Sequence, residues 1–262
     1  MRDSTLFRLF FLTILIIGLA ACARPIATIE RPTPAGYEET IARLKSRAEY
    51  YRCYQAKFHI QAQGPKGKIR LQAVMLTELP DRFRFEAYNP FGQTVGLLLL
   101  DRETCRLWLP SEKVVYTATR PETLVQHFLG VRIPLERFGY GVIASAPASL
   151  LNDFQLYEKS GTLHGRVQNP STGSEYAWDF LPSPLSLKSM EVRESGTEYT
   201  ITYDPPADMG IAETPKRVKF SSSQWEMDVT VDQLARSAQP QETSFQAPIP
   251  AGLREIKLDE AK

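Results

Sequence analysis

From Tyr54 the chain alternates apolar and polar residues. Tyr54, Ala56, Phe58, Ile60 and Ala62 are set against Gln55, Lys57, His59, Gln61 and Gln63. A period of two places one set on a buried face and the other in solvent, so the segment predicts a half-buried strand. Gly64-Pro65-Lys66-Gly67 reads as a turn, after which Ile69, Leu71, Ala73 and Met75 continue the apolar face. Phe83, Phe85 and Ala87 repeat the pattern, and strand-like runs follow at 94–101, 105–109 and 113–118. A second series occupies 154–159, 162–168, 175–181, 185–193, 197–203, 215–221 and 224–231, ending in the alternation of Trp225, Met227, Val229 and Val231. Short Gly- or Pro-bearing turns between these runs make an antiparallel meander the economical topology.

Three segments carry a helical period instead. Tyr37 to Tyr51 places Ile41, Leu44 and Ala48 at spacings of three and four among charged residues, with Glu38 and Glu39 early and Arg43, Lys45 and Arg47 later. Pro121 to Leu129 ends at Gly130, a helix stop. Pro134 to Ala144 aligns Leu135, Phe138, Val142 and Ile143 along one side, although Gly139 and Gly141 each weaken helicity by up to about 1 kcal/mol relative to Ala. Such a helix is tolerated if it packs on a large apolar surface. About a dozen strands with one apolar face need a cover. Either the sheet closes into a barrel, or it curls partly and the helices plug the opening. The inward set is aromatic: Phe58, Phe83, Phe85, Tyr176, Trp178, Phe180 and Trp225. It builds either a packed core or the lining of an incompletely filled interior.

The start of the chain changes the picture from fold to location. Arg2 and Arg8 form a basic end, Leu9 to Gly18 is nearly continuous hydrocarbon, and Leu19-Ala20-Ala21-Cys22 follows. That order reads as a secretory signal, and the apolar run falls short of the roughly 20 residues a spanning helix needs. The four residues resemble the bacterial lipobox, which implies cleavage before Cys22 and acylation of its sulfur and new amino group. Two or more acyl chains give stable attachment. Residues 1–21 are thus read as a lipoprotein signal peptide. Residues 22–36, with Pro25, Pro32 and Pro34, are a lipidated cysteine and flexible tether. Residues 37–232 are the domain, and 233–262 a C-terminal extension that lies over it before fraying.

Removing residues 1–21 leaves 29 basic and 29 acidic residues. This balance gives no basic face for nucleic acid, so no nucleic-acid partner is expected. Cys53 and Cys105 remain. In an oxidising compartment they form either a disulfide or two buried thiols, and residue types alone do not decide between these. Catalytic chemistry finds little support, and the chain is read as not an enzyme. His59, His127 and His164 are scattered with no metal-ligand spacing, so no metal and no cofactor beyond the lipid on Cys22 is expected. There is no Gly-x-Ser-x-Gly elbow, Gly64-Pro65-Lys66-Gly67-Lys68 lacks the phosphate-loop pattern, and Glu175 and Asp179 read as a solvated strand face.

Two further motifs carry a family resemblance. Tyr88-Asn89-Pro90-Phe91-Gly92-Gln93-Thr94 ends a strand in Asn-Pro, a large apolar residue and Gly. Leu129-Gly130-Val131-Arg132-Ile133-Pro134-Leu135 opens a helix that ends near Ala146-Pro147. Their order and spacing, with the lipobox, resemble LolB, the outer-membrane lipoprotein that receives other lipoproteins from a periplasmic carrier. The resemblance runs from Tyr37 to Val231. It implies a mainly β fold: an open, curled antiparallel β-barrel with an N-terminal helix and a short helical lid over an apolar acyl-chain cavity. Phe58, Phe83, Phe85, Trp178, Phe180 and Trp225 would line that cavity, and Leu135, Phe138 and Val142 would belong to the lid. Phe91 stands where the family places an exposed leucine implicated in delivering cargo to the membrane. The implied partners are lipoprotein cargo, a LolA-like carrier and membrane lipid, for a monomer anchored at the outer membrane and facing the periplasm. Ala23, in place of the aspartate that retains many lipoproteins at the inner membrane, agrees with that address. The tail beyond Val231 is longer than typical LolB, and Phe245…Pro248-Ile249-Pro250 resembles the ends of other superfamily members. An alternative role on the same fold is a structural or interaction lipoprotein that binds a periplasmic protein without transferring lipid. A lipid sensor is a third.

Overall fold

The computed structural model describes residues 31–258 apart from 33, 103, 170, 171, 183, 195, 238, 239, 241, 247 and 248, with side chains from Glu38 onward. The residues read above as a signal peptide, 1–21, and Cys22 lie outside the described residues. Arg31 to Lys262 forms one compact unit. In chain order its elements are β1 (Arg31–Pro32), α1 (Pro34–Tyr50), β2 (Cys53–Gly64), β3 (Gly67–Glu78), β4 (Arg82–Tyr88), β5 (Thr94–Asp101), β6 (Thr104–Leu109) and β7 (Val114–Ala118). Then follow α2 (Pro121–Leu129), α3 (Leu135–Val142), β8 (Gln155–Lys159), β9 (Thr162–Asn169), β10 (Ser174–Pro182) and β11 (Leu185–Glu194). The chain closes with β12 (Thr197–Asp208), β13 (Arg217–Ser221), β14 (Glu226–Arg236) and β15 (Arg254–Lys257).

The strands form one fifteen-stranded sheet in the order β1-β8-β9-β10-β11-β12-β13-β14-β2-β3-β4-β5-β6-β7-β15. Two meanders, β8–β14 and β2–β7, are joined where β14 pairs with β2. The sheet is open, with β1 and β15 as its edges, and curls around a single hydrophobic cluster. Alternating burial along β2 and β10 shows the cause: apolar residues turn inward and polar ones outward at every second position. All strand pairs are antiparallel except β15 with β7, which is parallel.

Two expectations are corrected and one open alternative is decided. The segment read as a tether through residue 36 already contains β1, paired with β8, and the first residues of α1. The tail does not simply overlie the domain. β14 continues to Arg236, and Phe245 is buried with its ring 4.3 Å from the Arg82 guanidinium. Arg84 donates to the Ser244 carbonyl at 3.2 Å, and β15 completes the sheet. Finally, Cys53 and Cys105 are not disulfide-bonded. Cys53 opens β2 and Cys105 lies on β6, with β3, β4 and β5 between them. Four strand spacings amount to roughly 19 Å along the sheet, far beyond the about 7 Å between Cα atoms that a disulfide can bridge.

Register assigns the turns to two rims. One rim carries the β2–β3 turn at 65–66, the β4–β5 loop at 89–93, the β6–β7 turn at 110–113 and the β13–β14 turn at 222–225. The C-terminal end of α2 meets this rim. The Lys66 ammonium donates to the His127 carbonyl at 2.8 Å, and a Cβ on Gly64 would lie 2.9 Å from the Gly130 carbonyl oxygen.

Candidate functional site

Helix α3 runs inside the curl, with every residue except Glu136 buried. Its two glycines explain how it gets so deep. A Cβ on Gly139 would lie 2.8 Å from Leu79 and 3.0 Å from the Phe83 ring, and one on Gly141 would lie 2.9 Å from the Phe220 ring. The helicity lost to glycine is the condition for close contact with the wall. Phe138 takes the centre. Its ring stacks on Phe220 at 5.3 Å and meets Phe58 and Phe85 edge-on at 5.9 and 6.3 Å. These rings come from β13, β2 and β4, so one side chain of the lid bridges the inner face of the sheet.

The interior is therefore filled rather than hollow. The apolar cavity left beneath the lid measures about 20 Å³ and is lined by Phe85, Leu98 and Met227 from the sheet and by Val125, Phe128, Leu129, Ile133, Leu135 and Phe138 from the lid. That is space for about one water, in a lining that offers it nothing polar. Of the six aromatic residues expected to line a cavity, only Phe85 touches this one. Phe58 packs on Phe138, and Phe83 lies beneath Gly139. Trp178 packs on Phe154 and Tyr176 at 5.1 and 6.1 Å, and Trp225 on Tyr199 at 6.0 Å. Phe180 is fully buried in the same core. Leu135, Phe138 and Val142, expected to belong to a lid, are all buried residues of α3.

The two ends of α3 are held differently. At its C-terminal end three wall and helix side chains donate to backbone carbonyls of the last turn and of Ile143 just beyond it. Tyr54 donates to the Gly139 carbonyl at 2.8 Å, Tyr203 to that of Gly141 at 2.9 Å, and Arg47 to that of Ile143 at 3.1 and 2.8 Å. Arg47 also donates to the carbonyls of Asp208 at the end of β12 and of Gly210 and Glu213 in the β12–β13 loop. It is 0% exposed, and burial pushes its guanidinium below the usual arginine range. Burial likewise raises both tyrosine hydroxyls, keeping them as donors. At the N-terminal end Arg137 grips Glu194 of β11 bidentately at 3.0 and 3.1 Å and donates to the Tyr176 hydroxyl at 3.0 Å. Burial opposes the charge on Glu194, but the Arg137 hydrogen bonds and charge outweigh it and hold the carboxyl below its ordinary range.

Sequence reasoning missed these fasteners. Arg47 was placed by its charge near the end of a helix. Yet Thr40, Leu44, Arg47 and Tyr51 are all buried at spacings of four, three and four, so an arginine on the apolar stripe was the available signal. Tyr54, Tyr203 and the Arg137–Glu194 pair join residues far apart in sequence and had no local mark. Gly96 of β5 is similar: a Cβ there would lie 2.6 Å from the Phe128 ring, so it seats α2 against the wall.

Phe91 points out. Its ring is 87% exposed, at the tip of the β4–β5 loop. Asn89 stiffens this loop by accepting hydrogen bonds from the Phe91 and Gln93 amides, both at 3.0 Å, through its side-chain oxygen, and its own carbonyl accepts from the Gly92 amide at 2.9 Å. Gly92 closes the turn at φ +78°, a conformation that other residues adopt at a cost. From Thr94, which follows the loop, two residues of strand (about 7 Å) lead to Gly96 and the Phe128 ring on the cavity. The exposed apolar tip thus stands beside the place where the lid covers the interior.

The outer face carries polar pairs. His164 Nδ1 lies 2.7 Å from Asp179 Oδ1, and the Ser189 hydroxyl donates to Asp179 Oδ2 at 3.2 Å. Here the serine bonds the carboxylate rather than the imidazole, which is not the order of a nucleophile activated by its base. Glu175 is engaged by Arg166 and Arg193. Among the described residues no helix is long and apolar enough to cross a membrane.

Comparison with known proteins places this geometry. In structure the chain is similar to a DUF1329 family protein from Desulfovibrio piger (8% identity, TM-score 0.57), covering 82% of this chain and 97% of that one. It is similar to a LolA superfamily protein from Nitrosomonas europaea (13% identity, TM-score 0.51), covering 77% and 95%. It is also similar to a domain described as an outer membrane lipoprotein-sorting protein from Vibrio parahaemolyticus (12% identity, TM-score 0.50), covering 81% and 96%. At these identities the likeness establishes the fold, a LolA-like curled sheet. No curated protein matches the chain in sequence. The family model for the outer membrane lipoprotein LolB, however, matches residues 53–233, which is the sheet from the first residue of β2 into β14 together with both lid helices. With well over half of its length inside that match, the chain belongs to the LolB family.

Proposed function

We propose that this protein is a lipid-anchored receptor that takes the acyl chains of lipoprotein cargo from a LolA-like carrier and helps insert them into the outer membrane. Diacylation at Cys22 holds it there, as a monomer facing the periplasm. The family and the fold support a role of the lipoprotein-sorting type. The observation that carries the finer reading is the position of Phe91, an 87% exposed ring on the rim beside the lidded apolar interior. Burying such a ring among acyl chains contributes about 2 kcal/mol, enough to orient the rim toward the bilayer without holding it there. The transfer needs no covalent chemistry. It needs an apolar interior that binds more tightly than the donor, and a bilayer as the larger sink. Since Phe138 fills the interior, entering acyl chains displace α3 and α2 from the wall and take the place of its ring contacts.

A second reading, an interaction lipoprotein without lipid transfer, draws on that same filled interior. The two are separated by mixing the chain from residue 22, with Cys22→Ala, with a cognate carrier loaded with a triacylated lipoprotein. Stoichiometric movement of cargo supports the receptor, and no movement to a folded chain supports the interaction lipoprotein. In the same assay Phe91→Glu accepts cargo but delivers it to vesicles more slowly. Delivery at the normal rate would remove Phe91 from the mechanism.

A further inference from the structure

We infer that the rim carrying Phe91 is a binding face for anionic phospholipid headgroups, built by Lys66, Lys68 and Arg70 of the β2–β3 hairpin with Lys113 of the β6–β7 turn. This inference deepens the membrane-insertion reading above and rests on it.

The sequence supplies the first observation. From Cys53 to Thr77 there are four basic residues, Lys57, Lys66, Lys68 and Arg70, and no acidic one, in a chain whose formal net charge is only +1. The asymmetry is therefore local.

Register supplies the second. Tyr88, the last residue of β4, pairs with Gln72 of β3. β3 extends beyond that pair to the turn, through Arg70 opposite Gln61 and Lys68 opposite Gln63. The basic hairpin tip thus flanks the Phe91 loop on the neighbouring strand. On the other side Trp108 of β6 pairs with Leu97 of β5, which brings the 110–113 turn level with the start of β5. Lys66, Lys68, Arg70 and Lys113 are all exposed.

Neutralisation is the third. Among the described residues no ion pair engages Lys68, Arg70 or Lys113, and Lys66 spends one donor on the His127 carbonyl. Most acidic groups near this rim are paired with other cations. Glu86 is paired with Arg84, Glu226 with Lys219 and Glu198 with Arg193, whereas Glu112, bonded only by the neutral Tyr116 hydroxyl, and Asp228, opposite Gln61, keep their negative charge. Lys66, Lys68, Arg70 and Lys113 set against Glu112 and Asp228 leave the balance of charge around the exposed ring positive. A single apolar side chain binds a bilayer weakly, and flanking cations add to it only where the surface is anionic.

Flotation of the chain from residue 22, with Cys22→Ala, tests this. The two vesicle types are phosphatidylcholine alone and phosphatidylcholine with one-third phosphatidylglycerol. The Arg31–Lys262 unit carries its own sheet and core, so this chain retains the fold. The wild type binds the anionic vesicles more tightly, and that preference fades as salt shortens the screening length. Lys68→Gln with Arg70→Gln lowers affinity for the anionic vesicles by about 10- to 30-fold. Both residues are exposed and outside the core, and circular dichroism confirms the fold. Equal binding to both vesicles, no binding to either, or no loss in the double variant would each overturn the inference. Equal binding would also turn the basic rim toward an acidic protein partner. Phe91→Glu separates the two readings. Loss of binding to both vesicle types supports tip insertion. A charge preference that persists without the ring keeps the headgroup face and discards the insertion.

Discussion

If Phe138 occupies the space that acyl chains would take, truncating it should weaken the protein and open a binding site at once. Its ring is 4% exposed and contacts three others, from β2, β4 and β13, next to an existing cavity of about 20 Å³. Phe→Ala in a core costs about 3–5 kcal/mol. Aromatic pairing adds about 0.5–1.5 kcal/mol per pair beyond area, which places Phe138→Ala in the upper half of that range. For a unit of this size the loss lowers Tm by about 8–20 °C. The void left behind joins the present cavity and is lined by Phe85, Leu98, Met227 and the lid, all apolar. Such a void stays dry and accepts an apolar ligand. A fluorescent fatty acid titrated into the variant should then bind more tightly than to the wild type, and at a hundredfold excess over Kd it should restore about 2.7 kcal/mol. Urea unfolding with and without the probe reads both quantities. A loss below about 1 kcal/mol, or a full loss with no gain in probe binding, would refute the view that this ring holds the place of an acyl chain.

Two further outcomes concern the fasteners of α3. Arg47→Ala leaves the carbonyls of Ile143, Asp208, Gly210 and Glu213 without their donor. It should destabilise by about 3–5 kcal/mol in urea unfolding, with Arg47→Lys recovering only a fraction because a single ammonium cannot reach four carbonyls. At the other end Glu194 has a lowered pKa in the folded state. Its contribution is therefore present above the unfolded carboxyl value of about 4.3 and is lost as pH falls through the folded value. The difference in unfolding free energy between wild type and Glu194→Gln should shrink on acidification below about pH 4. A difference that holds constant down to pH 2 would exclude the linkage.

The sequence by itself determined the elements and their sidedness. Alternation along Tyr54–Gln63 fixed β2 and its buried face, because a period of two leaves only one way to turn five apolar residues inward. Pro121 and Gly130 bounded α2 through the stiffness of one and the positive φ of the other. The motifs at 88–94 and 129–135 led to the family, and the family resemblance, rather than the residue order itself, implied an exposed apolar side chain at Phe91, which is 87% exposed.

Only the tertiary structure decided what fills the curl. Both a lined cavity and a packed core are consistent with an inward set of aromatics. The choice rests on Gly139 and Gly141, which let α3 descend until Phe138 meets Phe58, Phe85 and Phe220. It rests equally on Arg47, Tyr54 and Tyr203, which hold that helix by its carbonyls. The fate of Cys53 and Cys105 was also a matter of strand order, as was the docking of Phe245 on Arg82. A periodicity records which way a side chain faces. Which distant partner it meets there depends on how the strands are ordered and how far the helices sink between them, and no local pattern encodes that.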